Sequence, residues 1–377
     1  MGTAPVYLDH AATTALGPEA REAMEPYLSE RFGNASEPHA YGREARAALE
    51  SARRTVAELL DCEPAQVVFT SGGSEADNQA VFGFCGRPLG RLVVSAIEHP
   101  AVREPARELE RQGFEVAWVP AGGDGVVDVA AFADAVRPGD RVAAVMWANN
   151  VTGVLQPVEE LAAIARDRGV PFHCDAVQAA ASLPLSFAGS GADAIAVSAH
   201  KLHGPKGVGC LVAREPSRLR PLVLGGGQER GHRSGTENIP GCVGFAAALA
   251  AARTTADHRL AMRERMEAAL PDGVQVVCAE SERLPGHSLL LVRGVRAELL
   301  VLALDREGYA VAAGSACSAG HDEPSHVLIA QGMAPDDARS VIRISMGAGT
   351  TAAEVDGLTA ALARSIGTLR QGILPAA

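Results

Sequence analysis

The sequence predicts an α/β protein: a mainly parallel sheet with covering helices in a large domain, then a smaller α/β domain. Two observations carry this. Short β-rich runs alternate with helical patterns between residues 67 and 214, and alternation of that kind builds parallel sheets. The chain has 377 residues, more than the roughly 250–300 at which a single core stops growing, so two lobes with a cleft are expected.

The β-rich runs are Val67-Val68-Phe69-Thr70, Leu92-Val93-Val94-Ser95, Val116-Ala117-Trp118-Val119, and residues 142–147, 170–175 and 194–198. Residues just past the carboxyl ends of such strands line the ligand crevice of an open α/β sheet. Apolar helical spacing from residue 241 to 270 carries the chain toward the second lobe, expected after Pro271. There, strand patterns at 288–292 and 341–345 alternate with helical patterns at 296–306 and from Ala352 onward.

Composition excludes several classes. The chain is 47% hydrophobic and 21% charged, as in soluble globular proteins, and holds no apolar run long enough to span a bilayer. A formal charge of −11 argues against direct nucleic-acid binding, which needs a concentrated basic surface. The first residues lack the pattern of a secretory signal, so a cytoplasmic location is expected. The seven cysteines form no C-x-x-C pair and are read as reduced thiols. No histidine or cysteine pair has the spacing of a metal site, so none is expected.

Of the 34 basic side chains, only Lys201 and Lys206 are lysines. An arginine cannot lose its proton in any usable pH range, whereas imine formation needs a neutral amine. A chain this poor in lysine keeps one where a guanidinium fails, although drift toward arginine would also leave a few behind. Lys201 closes Ser198-Ala199-His200-Lys201 at a strand end; Lys206 lies deeper in a Gly-Pro turn and suits packing or electrostatic support. Lys201 is therefore the candidate for an internal aldimine with pyridoxal 5′-phosphate.

Other strand ends supply matching chemistry. Thr70-Ser71-Gly72-Gly73-Ser74-Glu75 follows a strand and opens a helix, which suits a phosphate but equally an ordinary capped helix start. His99 follows the second strand. Asp175 ends Phe172-His173-Cys174-Asp175, where a buried carboxylate can keep a pyridine nitrogen protonated, or merely cap the next helix. Gln178 lies three residues on and can reach the phenolic oxygen beside the imine.

These residues resemble the cysteine desulfurases of the class V aminotransferase family, from Tyr7-Leu8-Asp9-His10-Ala11-Ala12-Thr13-Thr14 to Arg343-Ile344-Ser345. The most specific segments are Ser198-Ala199-His200-Lys201, Arg233-Ser234-Gly235-Thr236-Glu237-Asn238 and Gly314-Ser315-Ala316-Cys317-Ser318. The resemblance implies the type I fold of pyridoxal-phosphate-dependent transferases, with a seven-stranded mixed sheet in a large domain spanning 15–255. The small domain would combine 1–14 with 256–377.

It further implies that Gly73, Ser74, Ser198 and His200 hold the cofactor phosphate, and that Thr236 contributes from the partner subunit of a homodimer, with Arg233 supporting that edge. His99 would stack on the ring, Asp175 would pair with its nitrogen, and Asn150 and Gln178 would contact ring or substrate. Arg343 would clamp the substrate carboxylate, since a planar guanidinium matches a carboxylate bidentately.

Cys317 lies among small residues, whereas the other six cysteines sit in apolar or helical settings. A nucleophilic thiol needs access and a stabilised thiolate. The segment after Cys317 resembles the branch with the longer catalytic loop. Val151 stands where relatives usually carry Glu, and Ser74 where Thr is common.

The expected reaction converts L-cysteine to L-alanine and passes sulfur, as a persulfide on Cys317, to an acceptor protein: an iron–sulfur scaffold, a tRNA-thiolation enzyme or a DNA-phosphorothioation enzyme. The rivals are a selenocysteine lyase or other β-eliminating enzyme of the same fold, and a non-catalytic sulfur-relay scaffold.

Overall fold

The computed structural model describes residues 5–86, 88–252, 256–314 and 323–372. In chain order the strands are β1 (Val6–Tyr7), β2 (Val67–Thr70), β3 (Arg91–Ser95), β4 (Glu115–Val119), β5 (Ala143–Ala144), β6 (Phe172–Asp175) and β7 (Ala194–Ser198). There follow β8 (Gly209–Ala213), β9 (Val274–Val276), β10 (His287–Val292), β11 (Tyr309–Ala310), β12 (Ala312–Ala313) and β13 (Val341–Ser345).

Seven of them form one sheet in the order β2-β8-β7-β6-β5-β3-β4, parallel except for β8, which runs antiparallel to both its neighbours. The expected mixed seven-stranded sheet is therefore present. Strands β6, β7 and β8 are buried at every position, which explains why they read as continuous apolar runs rather than alternating ones. The run at 142–147 supplies a strand of only two residues: Val145 and Trp147 still donate to the β6 carbonyls of His173 and Asp175, but the Met146 amide between them goes to the Glu98 carboxylate.

The helical stretch expected from 241 to 270 is divided into two helices, Ile239–Ala252 and Ala256–Ala268. The first is apolar on all sides and packs against the helices Pro18–Leu28 and Ala40–Leu59, so no face of it needs to be polar. Among the described residues no single helix is long and apolar enough to cross a membrane.

A second sheet, β12-β13-β10-β9, is antiparallel throughout. Its core gathers Leu8 with Met266, Leu290, Ile342, Leu358 and Leu362. The amino-terminal β1 pairs with β11, which brings residues 6–14 from the start of the chain to the junction of the two sheets. The last helix, Ala352–Arg370, covers this sheet; it opens with a capping box in which Thr351 and Glu354 each accept the other's backbone amide.

Residues 221–238 run past the β2 edge and are pinned there by a buried ion pair. Arg53 Nη1 and Nη2 lie 2.7 and 2.9 Å from the two carboxylate oxygens of Glu229, which also accepts the Phe69 amide at 2.9 Å. Glu229 and Arg230 both take positive φ, at 48° and 57°. Non-glycine residues rarely hold that conformation unless their surroundings fix it.

Candidate active site

The carboxyl ends of the large sheet open into a cavity of about 560 Å³, lined among others by Gly73, Ser74, His99, Asn150, Asp175, Gln178, Ser198, His200, Lys201 and Arg343. Ten of the site residues expected from the sequence thus share one space. Thr236 is exposed and does not line this chain's cavity, and Cys317 lies outside the described residues.

One end of the cavity is built for an anion. The helix Gly73–Cys85 starts after Gly72 with no side chain capping it, so its first amides face the cavity as donors. Gly72 has φ of 152°, and a Cβ on Gly73 would stand 2.6 Å from Val177 Cγ2. Gly209, at the start of β8, presses on the same turn: a Cβ there would fall 2.9 Å from Gly72 Cα and 2.5 Å from the Val197 carbonyl oxygen. The hydroxyl of Ser198, at the end of β7, is buried with no hydrogen-bond partner among the described residues. His200 Nδ1 lies 3.1 Å from Thr13 Oγ1; burial, with Lys201 and Lys206 nearby, lowers its pKa to about 4. It therefore offers a neutral imidazole. A phosphate monoester fits this set of donors.

Arg233 pairs within its own chain: its Nε and Nη2 reach Glu75 at 2.8 and 3.2 Å. Glu75 also accepts the Ser71 amide, which ties the turn at residues 71–73 to the segment carrying Thr236.

Lys201 stands in the short turn Ala199–Lys201 directly after β7. Its Nζ donates to the carbonyls of Ala11 and Ala12 at 2.5 and 2.9 Å, so the amino-terminal segment orients the amine. Gln178 Nε2 donates to the same Ala11 carbonyl at 3.0 Å. Lys206 is exposed at the cavity rim.

Asp175 ends β6 and accepts the Val177 amide at 2.9 Å, so it does close a local turn while facing the cavity. Burial raises its pKa, opposed by His99 and Lys201. His99 caps the helix Pro100–Arg111, with Nδ1 accepting the Ala101 amide at 3.1 Å. That bond leaves the proton of the neutral ring on Nε2. Burial lowers the His99 pKa, the Asp175 carboxylate works against this, and Lys201 adds to it.

The far wall comes from the second sheet. Arg343, in the middle of β13, is 3% exposed, which excludes a surface role. Its Nη1 donates to the Asn150 carbonyl at 2.9 Å and its Nη2 to Asp9 Oδ1 at 2.6 Å. Val151 leaves its carbonyl to His287 Nε2, at 2.9 Å, which ties the loop 149–153 to β10. His326 Nε2 donates to the Glu98 carbonyl at 2.9 Å, fixing the chain that follows residues 315–322 beside His99.

Sequence reasoning missed four contributors. Asp9 holds Arg343, His326 anchors the segment beside His99, and Asp77 and His173 form a buried pair next to Asp175. His173 had a signal, since it stands two residues before Asp175 and so shares its face of the strand. Asp9 and His326 had none, because their partners lie far away in the chain.

The six described cysteines are poor nucleophiles. Burial pushes the thiols of Cys62 and Cys85 up to about 12 and that of Cys278 up to about 11, and raises Cys174, Cys210 and Cys242 as well. At neutral pH none offers a thiolate.

The family model for class V aminotransferases matches residues 6–358. The chain belongs to the class V aminotransferase family. Within it, the chain is similar to a cysteine desulfurase of Cereibacter sphaeroides, 44% identical over 97% of this chain and 96% of that one. Among solved structures it is similar to a NifS-like protein, with a TM-score of 0.90, 32% identity and coverage of 96% of this chain and 99% of the other. It is also similar to SspA in complex with cysteine, with a TM-score of 0.83, 30% identity and coverage of 90% and 98%.

Proposed function

We propose that this class V aminotransferase-family enzyme is a pyridoxal 5′-phosphate-dependent cysteine desulfurase. The observation that carries the reading is the convergence of an amine, a buried carboxylate, an imidazole and a guanidinium on a cavity that ends in an uncapped helix. The Gly73 and Ser74 amides with Ser198 and His200 would hold the cofactor phosphate, Asp175 its ring nitrogen, and His99 its face. When bound, the cofactor supplies a carbonyl for an amine and a cationic ring that takes up an electron pair.

The chain's own residues then divide the work. Arg343 binds the carboxylate of L-cysteine. The Lys201 amine, aimed by the Ala11 and Ala12 carbonyls, takes the α-proton as general base. The Nε2 side of His99 manages the proton of the substrate thiol. The Cys317 thiolate bonds to the substrate sulfur as the carbon–sulfur bond breaks, which leaves a persulfide on the protein and, after protonation of carbon, alanine.

The same reading divides the chain into a large domain, 15–255, and a small domain, 1–14 with 256–377. It makes the protein a cytoplasmic homodimer in which Thr236 serves the partner subunit's site. It also sends the persulfide to an acceptor protein, an iron–sulfur scaffold or a tRNA-thiolation or DNA-phosphorothioation enzyme. The test is alanine and sulfide production from L-cysteine by wild type and Cys317→Ala. Alanine formation that needs Cys317 is expected; equal rates would remove the persulfide step and leave a β-eliminating lyase.

A further inference from the structure

Beneath the ring-nitrogen end of the cavity lies a buried group that the proposed reaction does not use. His173 and Asp175 project from the same face of β6, toward the helix Gly73–Cys85, while Cys174 points into the opposite core. That helix returns Asp77 to the same place. His173 Nε2 lies 3.0 Å from Asp77 Oδ1, the two side chains are 0% and 1% exposed, and Asp77 lines the cavity together with Asp175.

Two carboxylates at one buried site cannot both ionise cheaply, and one of them takes a proton. The neighbours decide which. Asp175 faces His99 and Lys201, both of which favour its charged form. Asp77 faces His173 and feels Asp175 and Glu98, both of which disfavour its charge. Glu98 is itself buried, with its carboxylate accepting from Ser95 Oγ and, at 2.8 Å, from the Met146 amide.

We propose that Asp77 and His173 hold one proton between them and act as an uncharged positioning pair, leaving Asp175 as the carboxylate that carries charge toward the cofactor ring. This rests on the reading that the cavity binds pyridoxal phosphate. The directions of titration agree: burial and the neighbouring acids raise Asp77, while burial lowers His173 to about 4.

The test compares Asp77→Asn, which keeps the shape and an N–H donor toward His173, with Asp77→Ala, which leaves His173 without its partner. Titration of the cofactor-free proteins with pyridoxal phosphate gives Kd, and the visible absorbance of the loaded proteins against pH gives a midpoint. Asp77→Asn is expected to match wild type in both. Asp77→Ala is expected to weaken binding by about tenfold, the cost of leaving a buried polar group unpaired, and to move the midpoint. If Asn is as harmful as Ala, Asp77 acts as an anion and the proposal fails; if Ala behaves as wild type, the pair positions nothing and it fails equally.

Nitrogen-15 NMR of the histidines in cofactor-free protein, assigned through His173→Gln, supplies an independent arm. The His173 signals are expected to stay constant between about pH 6 and pH 9, a window in which an ordinary imidazole loses its charge. A titration there overturns the proposal. Failure of wild type to take up pyridoxal phosphate would instead overturn the functional reading, while the NMR arm would still decide the proton.

Discussion

The two walls of the cavity are made differently. The wall formed by the large sheet takes Gly73, Asp175, Ser198 and Lys201 from positions at or just after strand ends, and each is fixed by its own strand and turn. The opposite wall has no such local logic. Arg343 lies mid-strand in β13 and is held by Asp9, 334 positions away in the chain, and by the Asn150 carbonyl, 193 positions away. One wall is rigid because its strands are buried; the other depends on the amino-terminal segment staying docked between the sheets. Chemistry is assigned to the first wall and substrate capture to the second, and substitutions can separate the two.

The largest effect is expected at the first wall. Lys201→Ala should cut turnover by about 10³-fold or more and abolish the visible absorbance of bound cofactor, because the other amine lining the cavity, Lys206, stands exposed at its rim and not at the strand end. Spectra and single-turnover assays check this together; retention of both signals would break the division at its centre.

At the second wall, Arg343→Ala should raise KM for L-cysteine by about 10- to 100-fold through loss of a charge-assisted bidentate contact, with cofactor Kd unchanged. Arg343→Lys should recover only part of this, since an ammonium lacks the planar fork. A fall in cofactor affinity with either variant would show that the walls are not separable.

A smaller change is expected from Asp9→Asn, about a twofold to fivefold rise in KM, because the guanidinium keeps its bond to Asn150 but loses the carboxylate that aims it. If kcat falls instead while KM holds, Asp9 acts through the Ala11 and Ala12 carbonyls on Lys201.

The least effect concerns stability against pH. Burial depresses His287 to about 3 and His173 to about 4 in the folded state, below the ordinary imidazole value. The unfolded chain therefore binds more protons as pH falls from the ordinary value toward these, and stability present at neutral pH is lost on the way down. The melting temperature should drop between about pH 7 and pH 4, and His287→Gln should flatten that slope. An unchanged slope would mean that His287 is not a neutral link between β10 and the loop 149–153.

The sequence alone determined the sheet and the wall that follows from it. Strand ends are periodic and local, so Asp175 could be found by reading what comes after each apolar run; lysine scarcity narrowed the amine to Lys201 and Lys206, and the strand-end position then chose Lys201. Only the tertiary structure decided the rest. It placed the reversed strand β8 between β2 and β7, where Gly209 closes on the turn at Gly72. It set Arg233 on Glu75, left Thr236 exposed and outside the lining of its own cavity, and joined Asp9 to Arg343 and Asp77 to His173. These pairs are made by elements meeting across the fold, and spacing along a chain carries no record of which elements will meet.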